Sequence, residues 1–335
     1  MQKISTLCER SNLLRIRRVQ ARQNTYRWGP QYQAAIRAVR GEVPALSGSG
    51  TLPAQKLCRE LNALSWPEKV AGALALYHPN SFEVHDQHVY YPSPMQHPLA
   101  HHRLYSHLPW PSTSGTFAIA EKMGLQKWHP KAWDENATVS SCDGLEAAIE
   151  KGEWEIGAWI VDFLVYLKDE QGPYCLFWEV KVDPEDHSKP GGAPLKRLST
   201  RAVEKARARQ TVCTAYVEQL GSRAVEVSSR KIPHTLAVTL INLCRSHIAE
   251  IDLPYMAIAE LTQAYQSAVG SDVPARLVAK KLVSDRYLDA AKALLEVAIW
   301  QRKVRVDLYQ PILWDRPLLT ERKDVLVEFA HLFAR

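Results

Sequence analysis

Three ionisable residues on two consecutive apolar segments carry the strongest chemical signal in this sequence. Asp162 interrupts the apolar run of residues 158–167. Glu179 and Lys181 close the next apolar segment, with Val180 between them. Because side chains alternate along a strand, Glu179 and Lys181 should point to the same side. An ionised carboxylate beside a core is costly unless a partner or a metal compensates it, so the pattern predicts carboxylates gathered around a divalent cation, with a lysine beside them.

The polar sequence between the two segments predicts that they form a β-hairpin. This sequence, residues 169–173, is Asp-Glu-Gln-Gly-Pro, and Gly and Pro are typical of such turns. An Asp on one strand and Glu-x-Lys on the next form the PD-(D/E)xK nuclease pattern. The pattern is short, and two alternatives stay open. Asp162 can cap the hairpin or pair with an arginine, and Glu179 and Lys181 can form an ion pair on a strand edge.

Phosphodiester hydrolysis is the reaction that these groups suit. It needs a positioned water, a proton acceptor and stabilisation of charge on the phosphate, and a divalent cation supplies much of this. Mg²⁺ prefers oxygen ligands and keeps several waters. The predicted ligands are Asp162, Glu179 and the main-chain carbonyl of Val180. Lys181 is predicted to orient the water or to stabilise charge on the phosphate.

Glu68 is the candidate carboxylate for a second metal ion. It lies in Ser-Trp-Pro-Glu, residues 65–68, which predicts a helix to about Tyr77 with a serine cap, a proline in the first turn and a capping box. From the residues alone, the capping role is the favoured one, and a role as metal ligand is the alternative. Two Mg²⁺ ions, for which Mn²⁺ can substitute, are the predicted cofactor.

Composition indicates a soluble globular protein. The chain has 335 residues, of which 46% are hydrophobic and 23% charged, and this length allows two or three domains. No apolar run approaches the roughly 20 residues of a membrane span, and the N-terminus lacks the apolar core of a signal peptide. Six cysteines are scattered without a Cys-x-x-Cys motif. We expect a cytoplasmic protein with no membrane partner.

The net charge of +6 is unevenly distributed. One basic cluster lies in the first 45 residues and a second follows the predicted hairpin, and both can neutralise phosphates. A solvated arm and a solvated helix face are the alternative, but the adjacent nuclease pattern favours DNA. The residues predicted to bind DNA are Arg15, Arg17, Arg18, Lys196, Arg197 and Arg201.

Three domains are predicted along the chain. Residues 1–50 form a basic N-terminal arm that ends in a Gly/Ser-rich joint, residues 51–232 an endonuclease domain, and residues 233–335 a winged-helix-like domain. Within the second, residues 81–91 are predicted to be a strand pair, and the Pro- and His-rich residues 93–114 an irregular insertion.

The C-terminal region is predicted to be mainly helical. Residues 236–242 fit a strand or a buried helix equally well. Helices are predicted over residues 254–268, 274–283 and 287–301, and the alternating residues 303–308 predict a strand. Helices followed by a β element are typical of a winged-helix domain, which binds DNA or proteins.

These residues, in this order, resemble the TnsA family, the endonuclease subunit of heteromeric transposases, within the PD-(D/E)xK superfamily. Residues 66–87 look like the family's early helix and the strand after it, and residues 116–130 are similar to the passage before the strand with the catalytic Asp. Asp-Phe-Leu-Val at 162–165 matches the family motif, and Glu-Val-Lys at 179–181 takes the place of its Gln-Val-Lys or Glu-Val-Lys. The resemblance spans about residues 60 to 315.

The resemblance implies that Glu68, Asp162, Glu179 and Lys181 are catalytic. It implies an α/β fold with a restriction-endonuclease-like core, a mixed central sheet and a mainly helical winged-helix domain after it. The implied activity is Mg²⁺-dependent cleavage of the 5′ (non-transferred) strands at transposon ends. A DDE-type, TnsB-like transposase would cut and join the 3′ ends, and an AAA+, TnsC-like ATPase would bind the C-terminal portion.

The chain departs from the family pattern in two places. The gap from Glu68 to Asp162 is longer than in the family, and the basic first 50 residues have no counterpart there.

Two other functions are considered beside the transposon endonuclease. A restriction or repair nuclease on the same core is one alternative. A non-catalytic DNA-binding or assembly subunit is the other, and the intact set of Asp162, Glu179 and Lys181 argues against it.

Overall fold

The computed structural model describes residues 2–43, 48–139, 150–188 and 199–335. Helices and strands are interspersed along these ranges. In chain order they are α1 (Gln2–Gln23), β1 (Gly50–Ala54), β2 (Arg59–Ala63), α2 (Trp66–Tyr77), β3 (Ser81–Tyr90), β4 (Met95–Gln96), β5 (Ser112–Thr113), α3 (Thr116–Lys122), β6 (Lys131–Val139), β7 (Glu150–Ile156), β8 (Trp159–Asp169), β9 (Gly172–Lys181), α4 (Thr200–Gln219), β10 (Arg223–Ser228), α5 (His234–Ser246), α6 (Tyr255–Ala268), α7 (Ala275–Leu282), α8 (Leu288–Trp300), α9 (Val325–Glu328) and α10 (Ala330–Phe333).

The central sheet has four strands in the order β10-β9-β8-β3. It is a mixed sheet in an α/β protein, so the predicted coarse fold class is confirmed. In chain order, the strands of this sheet and the helices near them in the sequence are α2, β3, β8, β9, α4 and β10. The elements β4 to β7 and α3 are inserted in the sequence between β3 and β8. Strands β1 and β2, β4 and β5, and β6 and β7 form two-stranded sheets.

Strands β8 and β9 form the predicted hairpin. Side chains of residues 163–167 and 175–178 are buried without a break, as in strands that are covered on both faces. The turn consists of two residues, Glu170 and Gln171, which makes it shorter than the predicted five-residue segment. The Asp169 carboxylate accepts a hydrogen bond from the Gln171 backbone N–H at 2.9 Å. Gly172 has a φ of 112°, a conformation that glycine adopts without strain.

One compact unit comprises Met1–Ile36, His85–Leu164 and Glu185–Ala224. In this unit, helix α1 packs against β6 and β7, and α3 packs against α4. Residues 2–23 are therefore a helix packed on a β-hairpin, whereas the sequence predicted an arm. The joint predicted before residue 51 falls partly on residues 44–47, which lie outside the described residues, and Gly50 already belongs to β1.

Strand β3 is one strand where a strand pair was predicted, and that prediction is wrong. Gln87 adopts a φ of 50° inside the strand, an uncommon conformation for a residue with a side chain. Its carbonyl accepts a hydrogen bond from Ala35 N at 3.0 Å, and Tyr32 Oη donates to the Asp86 carbonyl at 2.7 Å. These contacts hold the irregular backbone in place.

A buried cluster of aromatic and histidine rings fills the space beside this part of β3. His88 lies against Tyr26 and Tyr91, with ring centroids at 5.9 and 5.8 Å, and Tyr32 stacks on His85 at 3.9 Å. The His88 side chain is 2% exposed, and its Nδ1 has no hydrogen-bond partner among the described residues. Burial lowers the pKa of His88 to about 3, because the charged imidazolium would lose its hydration there.

Replacing His88 by Phe is expected to make the protein more resistant to acid. The pKa of His88 is lower in the folded than in the unfolded state, so the unfolded chain takes up the proton first as the pH falls below about 6.5. Wild-type stability should then decline by about 1.4 kcal/mol per pH unit from this group. His88→Phe should match the wild type at pH 7.5 and exceed it by about 2 kcal/mol at pH 5. Urea unfolding at both pH values measures this.

His107→Phe is the matched control, because His107 is exposed. It should unfold with the same pH dependence as the wild type. Equal pH dependence for His88→Phe and the wild type would contradict the assignment of this acid sensitivity to His88.

The other compact unit comprises Arg37–Val84, Val165–Pro184 and Val225–Arg335. Helix α2 is buried from Val70 to Tyr77 and packs against β1, β2, β9 and α5. Residues 236–242, which fitted a strand or a buried helix equally well in the sequence, belong to helix α5. Its buried Leu236, Leu240 and Leu243 recur at helical spacing along one face.

The three helices predicted towards the C-terminus are confirmed as α6, α7 and α8, which pack on one another. The strand predicted over residues 303–308 is wrong, because only an isolated bridge between Val306 and Thr320 forms there. Val304, Val306 and Leu308 are buried as the alternation suggests, but so is Asp307. The charged residues of this segment form ion pairs: Arg305 binds Asp324 at 2.8 Å, and Asp307 binds Arg322 at 2.6 Å.

The three predicted domains, with boundaries after residues 50 and 232, stay a prediction. Among the described residues, none of the helices has both the length and the apolar character that a membrane span requires.

Candidate functional site

Glu179 and Lys181 lie near the end of β9, and both side chains are half-buried. Val180, between them, is 6% exposed, and Trp178 is fully buried. The Trp178 ring packs 5.2 Å from the ring of Phe333. Trp178 and Val180 therefore anchor the strand through one face, and alternation turns the acid and the lysine to the other, less covered face. This is the arrangement that the Glu-x-Lys spacing predicted.

Helix α2, which carries Glu68, packs against this same strand. Ser65 is the N-cap, and its hydroxyl accepts a hydrogen bond from Glu68 N at 3.4 Å. The same hydroxyl donates to Glu68 Oε1 at 2.8 Å, and Leu64 N donates to Glu68 Oε2 at 2.8 Å. The predicted serine cap is confirmed, while the Glu68 side chain accepts its backbone hydrogen bond from Leu64, one residue before the N-cap. The Glu68 residue is only 7% exposed.

Both Glu68 carboxylate oxygens thus accept hydrogen bonds from the cap. Each oxygen keeps a second lone pair that a metal ion could use, so the capping bonds and a role as metal ligand are compatible. The structure gives Glu68 a capping role, and its metal-binding role stays a prediction.

Asp162 lies inside β8, where it is half-buried between the fully buried Val161 and Phe163. The alternative that Asp162 caps the hairpin is wrong, because the turn lies at the far end of β8, after Asp169. Close to Asp162 in the chain, the Ile160 carbonyl accepts a hydrogen bond from Arg209 Nη2 of α4 at 2.8 Å. This brings a guanidinium to the strand that carries the acid.

The magnesium ligands stay a prediction. No group of three or more His, Cys, Asp and Glu side chains that could hold a metal ion is present in the described part of the chain. A Mg²⁺ ion that keeps several waters needs only one or two carboxylates from the protein. Asp162 and Glu179 with the Val180 carbonyl are the predicted set, and Glu68 is the candidate ligand of a second metal ion.

The basic residues predicted to bind DNA have different surroundings. Arg17 forms ion pairs with Asp134 and, at 3.1 Å, with Glu155; the Glu155 hydrogen bond and both carboxylates raise the Arg17 pKa. Its charge is therefore neutralised within the protein. Arg15, Arg18 and Arg201 are exposed. Lys196 and Arg197 lie outside the described residues.

Two features of this region did not emerge from the sequence pattern. One is the hydrogen bond from Arg209 to the strand of Asp162. The other is the ion pair of Arg230 with Asp183, at 2.5 Å, in the loop after β9. Arg209 belongs to the basic stretch of α4, which was the available signal, but charge alone does not indicate which arginine turns inward.

No family model and no curated protein matches this chain.

Proposed function

We propose that this chain is a Mg²⁺-dependent DNA endonuclease of a cut-and-paste transposon, built on a restriction-endonuclease-like core. It would cleave the 5′ strands at the transposon ends. The observation that carries the proposal is the position of Glu179, Val180 and Lys181 on β9. This strand has helix α2 packed on it and the strand of Asp162 next to it in the sheet order.

The proposal requires that Asp162, on β8, and Glu179, on β9, ligate the same ion. The variants of these strands described below test that requirement.

Each protein group has a distinct task in this proposal. Asp162, Glu179 and the Val180 carbonyl hold the ion, which when bound supplies Lewis-acid activation of water and neutralises charge on the phosphate. Lys181 lies two residues after Glu179 on the same strand. Its ammonium would donate hydrogen bonds to the attacking water or to a phosphate oxygen. Glu68 would add a third carboxylate.

Two protein partners belong to the proposal: a TnsB-like DDE transposase and a TnsC-like AAA+ ATPase. The ATPase would bind the C-terminal helical region. Tyr255 and Met256, at the start of α6, are 85% and 77% exposed. Large exposed apolar side chains of this kind are typical anchors of a protein interface.

Lys181→Ala tests the proposal. Cleavage of DNA with transposon ends, in the presence of the transposase, should fall by about 100-fold or more, since a charge-stabilising donor is lost. Binding of Mn²⁺, measured by electron paramagnetic resonance, should be retained because no ligand is removed. Lys168→Ala, at an exposed position of β8, is the control and should cleave normally.

Two results would contradict the proposal. Undiminished cleavage by Lys181→Ala would remove the lysine from the active site. Efficient cleavage by the chain alone, on DNA without transposon ends, would favour a restriction or repair nuclease.

A further inference from the structure

The β6–β7 hairpin has two faces of different chemistry. In its register, Trp133 is directly opposite Trp154, and Asp134 is opposite Glu153. Alternation therefore places the two tryptophans on one face and the acids Asp134, Glu153 and Glu155 on the other.

The acidic face is the one covered by helix α1. Arg17 of α1 pairs with Asp134 and Glu155, and Gln20 Nε2 donates to the Ile156 carbonyl at 3.3 Å. Gly157, just after β7, lets the helix approach closely, since a Cβ there would lie 3.0 Å from Ile16.

The tryptophan face is open. Trp133 is 38% and Trp154 49% exposed, and their rings meet edge to face at a centroid distance of 5.4 Å. Lys131, on the same face as Trp133, holds its ammonium 4.7 Å from the centroid of the Trp154 ring. The face thus presents two indoles and a cation, while Asp134, Glu153 and Glu155 lie on the covered side.

The sequence that leads into the hairpin has the same character. From Lys122 to Trp133 it contains Lys122, Lys127 and Lys131 and no acidic residue. All three lysines are exposed. An anionic partner with flat rings complements such a surface better than an acidic or apolar peptide does.

We propose that the tryptophan face of the β6–β7 hairpin binds single-stranded DNA. Unpaired bases stack on Trp133 and Trp154, and Lys131 neutralises a phosphate, as in other single-strand binding surfaces. The inference goes beyond the proposed nuclease function and does not depend on metal binding or cleavage.

The test is the binding of a fluorescent oligothymidine to the full chain in EDTA, where cleavage does not occur. Trp133→Ala and Trp154→Ala should each weaken binding by about tenfold, because a base loses its stacking partner. Leu104→Ala, which removes an exposed apolar side chain outside the hairpin, is the matched control and should bind normally.

Lys131→Gln provides a second measurement, the salt dependence of DNA binding, if a tryptophan variant fails to fold. It leaves both indoles in place and should reduce the slope of log affinity against log salt by about 0.7. Unchanged binding by the tryptophan variants together with an unchanged slope would overturn the proposal. So would equal competition by duplex DNA, whose bases are not free to stack. Loss of self-association in place of DNA binding, seen by sedimentation, would make the face a protein interface and also overturn it.

Discussion

Asp162→Ala is expected to abolish cleavage of the 5′ strand while the protein still assembles with its transposase and the 3′ ends are still joined. In the proposed site, the change removes one of two carboxylates that would hold the metal, and with it the activation of water and the neutralisation of charge, which are together worth several kcal/mol. The rate should fall by a factor of about 100 or more. Asp162 is half-buried in β8, and alanine is compatible with the strand, so the fold should persist.

Asp169→Asn is the matched control, an acid at the other end of the same strand. Asp169 pairs with Arg335 Nε at 2.7 Å near the surface, and exposed pairs contribute about 1 kcal/mol or less. This variant should cleave at the wild-type rate. The experiment measures both strands of an end-labelled transposon end, with Mn²⁺ binding in parallel. If Asp162→Ala cleaved normally, or bound Mn²⁺ as the wild type does, the ligand assignment would be wrong.

Local signals explain what the sequence predicted well. The helix α2 begins and ends within a residue or two of its predicted bounds, because Ser65, Pro67 and Glu68 act on neighbours in the chain. The hairpin of β8 and β9 follows from two apolar runs around a polar turn. The orientation of Glu179 and Lys181 follows from the two-residue repeat of a strand, which tertiary structure does not change.

Long-range contacts explain what the sequence did not predict. Arg17 was assigned to DNA from its charge, but its partners Asp134 and Glu155 lie more than a hundred residues away. No local pattern indicates such a pair, nor that α1 packs on a hairpin. Likewise, the alternation at residues 303–308 predicts the burial of Val304, Val306 and Leu308 but not the absence of strand pairing or the burial of Asp307, whose ion pair is with Arg322.

Local signals also predicted part of the candidate site, and contacts beyond them determine the rest. The elements that carry its residues were predicted from the sequence, whereas the full set of hydrogen bonds to the Glu68 carboxylate was not. A capping box predicts that the Glu side chain bonds to the backbone at the helix start. It does not predict that both carboxylate oxygens are engaged, one by Ser65 and the other by Leu64. That detail decides how the second acid must be tested.

Glu68→Gln is expected to abolish or strongly reduce cleavage while leaving the protein nearly as stable as the wild type. The amide oxygen can accept the hydrogen bond from Leu64 N, and the amide NH₂ can donate to Ser65 Oγ in place of accepting from it. The cap thus survives, but the side chain loses its charge and much of its affinity for a divalent ion. Cleavage and urea unfolding, measured on the same preparation, separate the two roles.

Two further variants make that separation complete. Glu68→Ala removes both cap bonds and should lower the free energy of unfolding by about 1–2 kcal/mol in addition to losing activity. Ser65→Ala weakens the cap by about 1 kcal/mol but keeps the carboxylate, so it should cleave normally at temperatures well below unfolding. If Glu68→Gln cleaves normally, Glu68 is a capping residue and no more, and the site holds its metal with Asp162 and Glu179. If Ser65→Ala loses cleavage as fully as Glu68→Gln, the acid acts from within the cap, because only its position has then changed.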